Sequence, residues 1–304
     1  MNELGYCCIN LSINEGVAKK DQIKVNRGMV KRTFESKGTD YVSECIIENL
    51  KDTIKILNWN VRNNIKVYRL SSDSFPWLTE YCIDDIKNSD KIKNLLKGIG
   101  EIIKKNDLRS GYHPGPYCVL GSENASVVEK TIKELEFTAT LLDLMGLDRT
   151  PYYGINIHLN STKPDHETAA KRFCENFQRL SDSVRSRLTV ENDDKAGQYS
   201  VKMLYDMVHK EIGIPIVFDF HHFNYGPQDQ TIKQALELAL STWQVKPITH
   251  MSSSKLIETN GSRATAHADY IYEEIPLFDS YHFDCEIEAK AKELAVLKYR
   301  TQFR

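Results

Sequence analysis

The chain has 304 residues with 40 Lys or Arg and 42 Asp or Glu, and its formal net charge of −2 argues against binding nucleic acid by bulk positive charge alone. Its composition, 41% hydrophobic and 27% charged, is that of an ordinary globular protein and argues against a disordered chain. Seven cysteines, an odd number without any C-x-x-C pair, argue against both a disulfide framework and a zinc–thiolate site.

The N-terminal residues, MNELGYCCIN, lack the basic start and the long apolar run of a signal peptide. No stretch of the chain approaches the roughly 18 consecutive apolar residues that a membrane span requires. We therefore predict a soluble, cytoplasmic protein that does not act with a membrane.

The segment that follows the first predicted strand is basic. Seven Lys or Arg stand between Lys19 and Gly38, against only Asp21 and Glu35. Such a segment is either a solvated loop or a surface that contacts phosphate groups. We predict a basic loop over residues 11–43.

Short apolar runs alternate with longer segments of helical periodicity along the chain. The predicted strands cover residues 4–10, 65–70, 108–113, 153–158, 187–191, 214–219, 245–250 and 283–287. The predicted helices cover residues 44–60, 90–105, 127–144, 168–180, 200–212, 231–242 and 289–298. This alternation predicts a parallel sheet with helical crossovers, and eight repeats favour closure into a (β/α)8 barrel. No linker interrupts the pattern, which predicts a single domain over residues 1–304.

Six consecutive predicted strands run into a residue that can bind a metal. These residues are His113, His158, Glu191, Asp219, His250 and Glu288. In a barrel of parallel strands their side chains meet at one mouth, where active sites form. One such residue alone is more often a hydrogen-bonded structural group, but six buried together without cations would leave costly uncompensated charges. Imidazole and carboxylate ligands without cysteine suit catalytic zinc or manganese better than calcium.

Two further histidines are expected at the same mouth. In the run DFHHF, the chain leaves strand geometry after Asp219, and we favour His222 over His221 as the side chain that turns back. His267 lies in a loop after the seventh predicted strand. Clustered cations of this kind hydrolyse phosphodiesters, whereas a similar pocket can isomerise a sugar. The residues alone therefore predict a metal-dependent hydrolase or isomerase.

Several segments, in this order, resemble the ultraviolet-damage endonuclease family. They are LGYCCIN (4–10), VYRLSSDSFP (67–76), HPGPYCVL (113–120), ENDD (191–194), FDFHH (218–222), THMSS (249–253), AHADYI (266–271) and IEAKAKELAVL (287–297). The resemblance spans nearly the whole chain. It implies one TIM barrel of the xylose-isomerase-like type and incision of the DNA backbone immediately 5′ to ultraviolet photoproducts such as cyclobutane dimers and 6-4 products, leaving a 3′-hydroxyl.

The resemblance also implies a site with two or three divalent cations, manganese first and zinc or magnesium as alternatives. By this resemblance His113, His158 and Glu191 hold one metal, Asp219, His250, Glu288 and the bridging Glu191 a second, and His222 with His267 help to hold a third. Tyr6, Asn10 and Tyr117 fall where the family probes the damaged bases and the opposite strand. The implied partner is double-stranded DNA with ultraviolet lesions, bound by a monomer without an obligate protein partner.

The sequence departs from the family pattern at three places. WLTEYC (77–82) follows the SSDSFP segment where the family carries a histidine, and it contains none. Pro116 stands where the family usually has a Gln that can hydrogen-bond to orphaned bases. Ile248 stands where members carry a Lys that is sometimes carboxylated at the metals. Lys246, two residues earlier on the same strand face, is our candidate for a substitute modified lysine.

Three other functions stay open on the sequence. The first is an apurinic-site endonuclease of the same superfamily, which Pro116 favours. The second is a xylose-isomerase-like sugar isomerase. The third is a damage-binding protein that does not cleave.

Overall fold

The computed structural model describes residues 2–304 as an eight-stranded parallel barrel surrounded by helices. The strands are β1 (Leu4–Cys7), β2 (Val67–Arg69), β3 (Arg109–Gly111), β4 (Ile155–His158), β5 (Leu188–Glu191), β6 (Ile216–Asp219), β7 (Ile248–Met251) and β8 (Asp284–Ile287). Their order in the sheet is β3-β2-β1-β8-β7-β6-β5-β4. All eight predicted strands are present, which confirms the predicted (β/α)8 barrel.

The barrel closes between β3 and β4 through a short seam. Tyr112 forms an isolated parallel bridge with Ile155, and its amide donates to the carbonyl of Gly154 at 2.9 Å. Gly111 is required here, because a Cβ at this position would lie 2.4 Å from the same carbonyl oxygen. The pairing of β3 with β4 is therefore shorter than that of the other strand pairs, which share at least two register positions each.

Within residues 2–304, ten α-helices cover the outside of the barrel or connect its strands. They are α1 (Lys31–Arg62), α2 (Ser89–Lys105), α3 (Ala125–Leu144), α4 (His166–Phe177), α5 (Asp182–Arg185), α6 (Val201–Leu204), α7 (Lys210–Ile212), α8 (Phe220–Tyr225), α9 (Ile232–Ser241) and α10 (Glu293–Phe303). A π-helical turn, Tyr205–His209, joins α6 and α7. Side-chain caps start several helices; Asp165, for example, accepts from the amide of Thr168 at 2.8 Å. None of the described helices is long and apolar enough to cross a membrane.

The predicted basic loop over residues 11–43 is wrong in its second half. Helix α1 already begins at Lys31, and a break at Gly38, with φ of 62°, separates an exposed N-terminal arm from the buried remainder. Residues 31–37 of the arm contain one apolar side chain, Phe34, whose ring stacks on that of Trp77 at a centroid distance of 5.0 Å, so the sequence of the arm lacks helical periodicity. Residues 11–30 are irregular apart from the 3₁₀ turn Ser12–Asn14.

Successive strand residues point alternately into the barrel and towards the helices. Outward side chains such as Tyr6, Phe218 and Cys285 are fully buried in the hydrophobic core between the strands and the helices. The inward side chains are mostly polar. At the N-terminal end of the barrel, Arg109 pairs with Asp284 at 3.1 Å, and both side chains are buried. The opposite end opens into the mouth that holds the strand-end residues.

Candidate metal centre

Glu191 lies at the centre of the mouth, where four imidazoles surround its buried carboxylate. Its Oε2 lies 3.2 Å from Nε2 of His113, 3.8 Å from Nε2 of His158 and 3.1 Å from Nδ1 of His250. Its Oε1 lies 3.1 Å from Nδ1 of His222. Residues from four other strands or their ends therefore converge on one carboxylate that is 1% exposed.

Three groups of residues bring ligand atoms close enough together to share a cation. Their ligand atoms lie within 4.8 Å of one another, in the sets His113–His158–Glu191, Glu191–Asp219–His222 and His250–Glu286–Glu288. The first set is the one that the resemblance assigns to the first metal. The structure joins Asp219 to His222 rather than to His250, so the predicted second and third ligand sets are distributed differently.

Asp219 is the reason that His222 faces the centre. Its Oδ1 accepts from the amide of His222 at 2.7 Å and caps the short helix α8, which turns the chain back at the strand end. The ring of His221 points elsewhere, with Nε2 3.2 Å from the carbonyl of Thr265. The predicted preference for His222 over His221 agrees with this placement.

The donor atoms of the centre fit divalent cations. Oε1 of Glu191, Oδ2 of Asp219 and Nδ1 of His250 are buried and have no hydrogen bond of normal geometry within the described residues. Buried polar atoms of this kind are costly unless they are satisfied, and a cation satisfies several at once. Mixed imidazole and carboxylate donors suit manganese or zinc.

Neighbouring groups set the orientation of several ligand candidates. Nδ1 of His158 lies 3.1 Å from Oδ1 of Asp193, and Nδ1 of His113 lies 3.1 Å from the carbonyl of Pro114. In both residues the other ring nitrogen, Nε2, is the one that faces Glu191. Contacts of this type fix the ring orientation of metal-binding histidines.

The carboxylates and imidazoles of the centre shift one another's protonation. Burial alone would lower the pKa of His250, but the carboxylates of Glu191, Glu288 and Glu286 together outweigh burial and raise that pKa to about 10. Burial likewise opposes the charged form of Glu191, yet His250 and His158 hold its pKa well below the usual range. Protons therefore occupy this site when cations do not, and cation binding must release them.

Arg69 and Glu286 belong to the centre and were missed in the sequence. Arg69 donates from Nη1 to Oε1 of Glu288 at 2.6 Å, and its Nε lies 2.9 Å from Oε1 of Glu286. Burial raises the pKa of Glu286 to about 7 although Arg69 opposes this. The signal for Glu286 was present, because β8 and its end carry Asp284, Glu286 and Glu288 at the two-residue spacing of one strand face.

Asn156 is a third residue that the sequence did not reveal. Its Nδ2 donates to Oε2 of Glu191, and its Oδ1 accepts from Oγ1 of Thr189 at 2.8 Å. All three residues are buried on the inward faces of β4 and β5. Thr189 thus orients Asn156, and Asn156 orients the carboxylate of Glu191, from the side of the barrel interior.

Tyr6 and Asn10 do not lie where DNA could reach them. Tyr6 points outward from β1, is 0% exposed and donates from its hydroxyl to Oδ1 of Asn60 on α1 at 2.7 Å. Asn10 is 1% exposed and donates to the same hydroxyl at 2.8 Å. Their expected contact with damaged bases is therefore corrected to a structural role. Tyr117, in contrast, is 88% exposed on the loop after β3.

Lys246 lies at the wrong end of the barrel for a modified metal ligand. It precedes β7, and its Nζ pairs with Oδ1 of Asp284 at the N-terminal end. His267 does face the mouth. Its Nδ1 lies 3.8 Å from Oε2 of Glu288, although it belongs to none of the three sets described above.

Comparisons with known proteins agree with this geometry. The sequence profile of the family described as UV-endonuclease UvdE matches residues 2–303. The UV DNA damage endonuclease of Clostridium perfringens (strain 13 / Type A) is 30% identical over 97% of this chain and 69% of its own length. The crystal structure of SacUVDE superposes with a TM-score of 0.84 and 30% identity, covering 100% of both chains. Endonuclease IV from Thermus thermophilus, at 14% identity and a TM-score of 0.56 over 82% of this chain and 93% of its own, shares the fold.

Proposed function

The chain belongs to the UV-endonuclease UvdE family, and from that premise we propose that it is a metal-dependent endonuclease that nicks double-stranded DNA immediately 5′ to ultraviolet photoproducts and leaves a 3′-hydroxyl. The observation that carries the proposal is the buried Glu191 surrounded by His113, His158, His222 and His250. The side chains of His113, His158 and His267 are partly exposed, which leaves the centre accessible to a substrate from outside the barrel.

The residues proposed to hold the cations are those that converge at the mouth. They are His113, His158, Glu191, Asp219, His222, His250 and Glu288, with His267 at the edge. We propose two or three divalent cations, with manganese as the working choice. When bound, such cations neutralise phosphate charge and supply the Lewis acidity for phosphodiester hydrolysis.

The other residues of the centre have supporting tasks. Asn156 holds Glu191 through a hydrogen bond, and Arg69 holds Glu288 through an ion pair. The phosphate must approach from the open side, past the loop that carries Tyr117. Tyr117 is exposed enough to stack on a base, whereas Pro116 offers no donor to one.

The direct test is a nicking assay on an end-labelled duplex that carries one cyclobutane dimer, with manganese and with a chelator. We expect a single nick 5′ to the dimer that a polymerase can extend, and no nick with the chelator. Glu191→Gln should lower the rate by about 1,000-fold, equivalent to about 4 kcal/mol of barrier. The matched control is Glu167→Gln on the exposed face of α4, which should nick like the wild type.

Absence of incision with manganese, zinc and magnesium alike would contradict the proposal. Because Pro116 replaces the usual Gln, the same assay should include a duplex with an abasic site. Faster incision of the abasic duplex than of the dimer would favour an apurinic-site endonuclease instead.

A further inference from the structure

The exposed large apolar side chains are concentrated on the face that carries the metal centre. The described residues contain seven, Leu11, Val30, Tyr117, Leu256, Ile257, Tyr272 and Leu294. Each follows the C-terminal end of a strand, in a connecting segment or in the first turn of the next helix. Apolar groups gathered on one face of a protein indicate a surface that contacts another molecule.

Two groups of these side chains stand on opposite sides of the mouth. Tyr117 follows β3, whereas Leu256 and Ile257, 43% and 53% exposed, lie on the 3₁₀ turn Lys255–Ile257 after β7. β3 and β7 are four strands apart in either direction around the closed barrel. His113 and His250, at the ends of the same two strands, have ring centroids 6.1 Å apart. The metal centre therefore lies between the two apolar groups.

The turn that carries Leu256 and Ile257 is held firmly. Oγ of Ser254 donates to the carbonyl of Ala264 at 2.7 Å, and the amide of Lys255 donates to the carbonyl of Ala266 at 2.7 Å. Nζ of Lys255 pairs with Oδ1 of Asp269 at 2.9 Å. The turn thus presents two apolar side chains to solvent in a fixed position.

The same turn is connected to the metal centre. Ser254 forms an antiparallel bridge with His267, the histidine at the edge of the mouth. Glu258 closes the other side, since its Oε1 accepts from the amide of Asp269 at 2.8 Å and from the hydroxyl of Tyr272 at 2.7 Å. Any molecule that presses on Leu256 and Ile257 therefore has a defined position relative to the ligand residues.

We propose that Leu256 and Ile257 form a base-contacting wedge opposite Tyr117, and that the two sides together unstack the DNA at the damaged step. This inference rests on the proposed function, which places a duplex across the mouth. Its occupant is the base-pair stack of that duplex, because apolar side chains inserted between bases are a common means of kinking DNA.

The test compares two substrates with the double variant Leu256→Ser/Ile257→Ser. The first is a fully paired duplex with one cyclobutane dimer, and the second has the same dimer inside mismatches that already open the helix. We expect the double variant to incise the paired duplex about tenfold more slowly and the opened one within about twofold of the wild type, because unstacking no longer needs the wedge. Glu167→Gln on the exposed face of α4, which belongs neither to the apolar group nor to the metal centre, should match the wild type on both substrates.

Equal incision of the paired duplex by the wild type and the double variant would overturn the wedge. An equal loss on both substrates would also overturn it, since this would indicate a defect unrelated to unstacking. A change of oligomeric state in gel filtration would instead assign the apolar side chains to a protein interface.

A second measurement does not require incision. Stopped-flow fluorescence of 2-aminopurine opposite the dimer should rise on mixing with the wild type and stay flat with the double variant. If the wild type never nicks, the proposed function fails, but the fluorescence still tests the wedge. If both proteins give the same rise, the wedge fails whatever the incision assay shows.

Discussion

The two ends of the barrel interior both contain buried charge, but they balance it differently. At the N-terminal end, Asp284 is paired with Arg109 and Lys246, and Arg109 also lies over the rings of Tyr152 and Trp243. At the mouth, Glu191 and Asp219 each leave a buried oxygen without a hydrogen bond of normal geometry. At the N-terminal end the buried carboxylate is thus paired with side chains of opposite charge, although Nη2 of Arg109 has no hydrogen-bond partner among the described residues, whereas the mouth presents carboxylate oxygens that a cation can satisfy. The difference separates the part of the barrel that stabilises the fold from the part that performs chemistry.

The largest effect is expected when the charge pairing at the N-terminal end of the barrel is disrupted. Asp284→Asn removes the partner of two cations, of which Arg109 is buried, and should lower the free energy of unfolding by about 3–5 kcal/mol. Chemical denaturation measures this loss. Incision per folded molecule should stay near the wild-type value, because Asp284 and its partners Arg109 and Lys246 lie at the opposite end of the barrel from the proposed ligand residues. A large loss of incision without loss of stability would contradict the division between the two ends.

The next largest effect is expected from manganese binding at the mouth. Manganese at 100 times its dissociation constant should raise the free energy of unfolding by about 2.7 kcal/mol, which corresponds to a rise in melting temperature on the order of 5 °C. Differential scanning calorimetry with manganese and with a chelator measures it. The stabilisation should disappear in Glu191→Gln and persist in Glu167→Gln. Equal melting temperatures with and without manganese would show that the mouth is complete without cations.

A smaller effect concerns the support below the central carboxylate. Asn156→Leu keeps the side-chain volume but removes the donor to Glu191, and should weaken manganese binding by about 10- to 100-fold. Titration calorimetry measures the affinity. Thr189→Val removes only the hydroxyl that holds Asn156 and should have a lesser effect in the same direction. A larger loss of manganese affinity in Thr189→Val than in Asn156→Leu would argue against this role of Asn156.

The smallest effect is expected from Arg69, whose guanidinium lies inside the mouth beside Glu286 and Glu288. Arg69→Gln leaves Glu288 without the ion pair that fixes it, so incision should fall about tenfold, equivalent to about 1.4 kcal/mol. Arg69→Lys should restore part of the rate, since it keeps the charge but not the two-sided contact with Glu286 and Glu288. Incision kinetics with both variants measures this, and a rate unchanged in Arg69→Gln would contradict it.

The sequence was most informative where chemistry coincides with the ends of strands. Eight apolar runs predicted eight strands, and parallel topology then brings residues such as His113, Glu191 and His250 to one mouth. The family resemblance is confirmed by the match over residues 2–303. The grouping of individual ligands could not be predicted, because it depends on how Asp219 caps α8 and turns His222 inward.

The residues that escaped prediction lie in strands: Asn156 and Glu286 lie within β4 and β8, and Arg69 is the last residue of β2. Arg69, Asn156 and Glu286 are hidden in short strands whose apolar neighbours identify them only as sheet residues. The prediction for Tyr6 was wrong for the opposite reason. Its place in the LGYCCIN motif suggested DNA contact, whereas the alternation of side chains along β1 directs it outward into the core between strands and helices. A check of which residues share a strand face with each predicted ligand would have found Glu286 and excluded Tyr6.

The seam between β3 and β4 has a consequence for how the barrel responds to its cations. This seam has a single bridge at Tyr112, and its two edges continue into His113 and His158. A cation shared by these two histidines would join both edges of the least-bonded junction in the cylinder. Cation binding would then strengthen the pairing of β3 with β4. The amides of Tyr112 and Asn156, which donate across this junction, would exchange more slowly with solvent when the cation is bound.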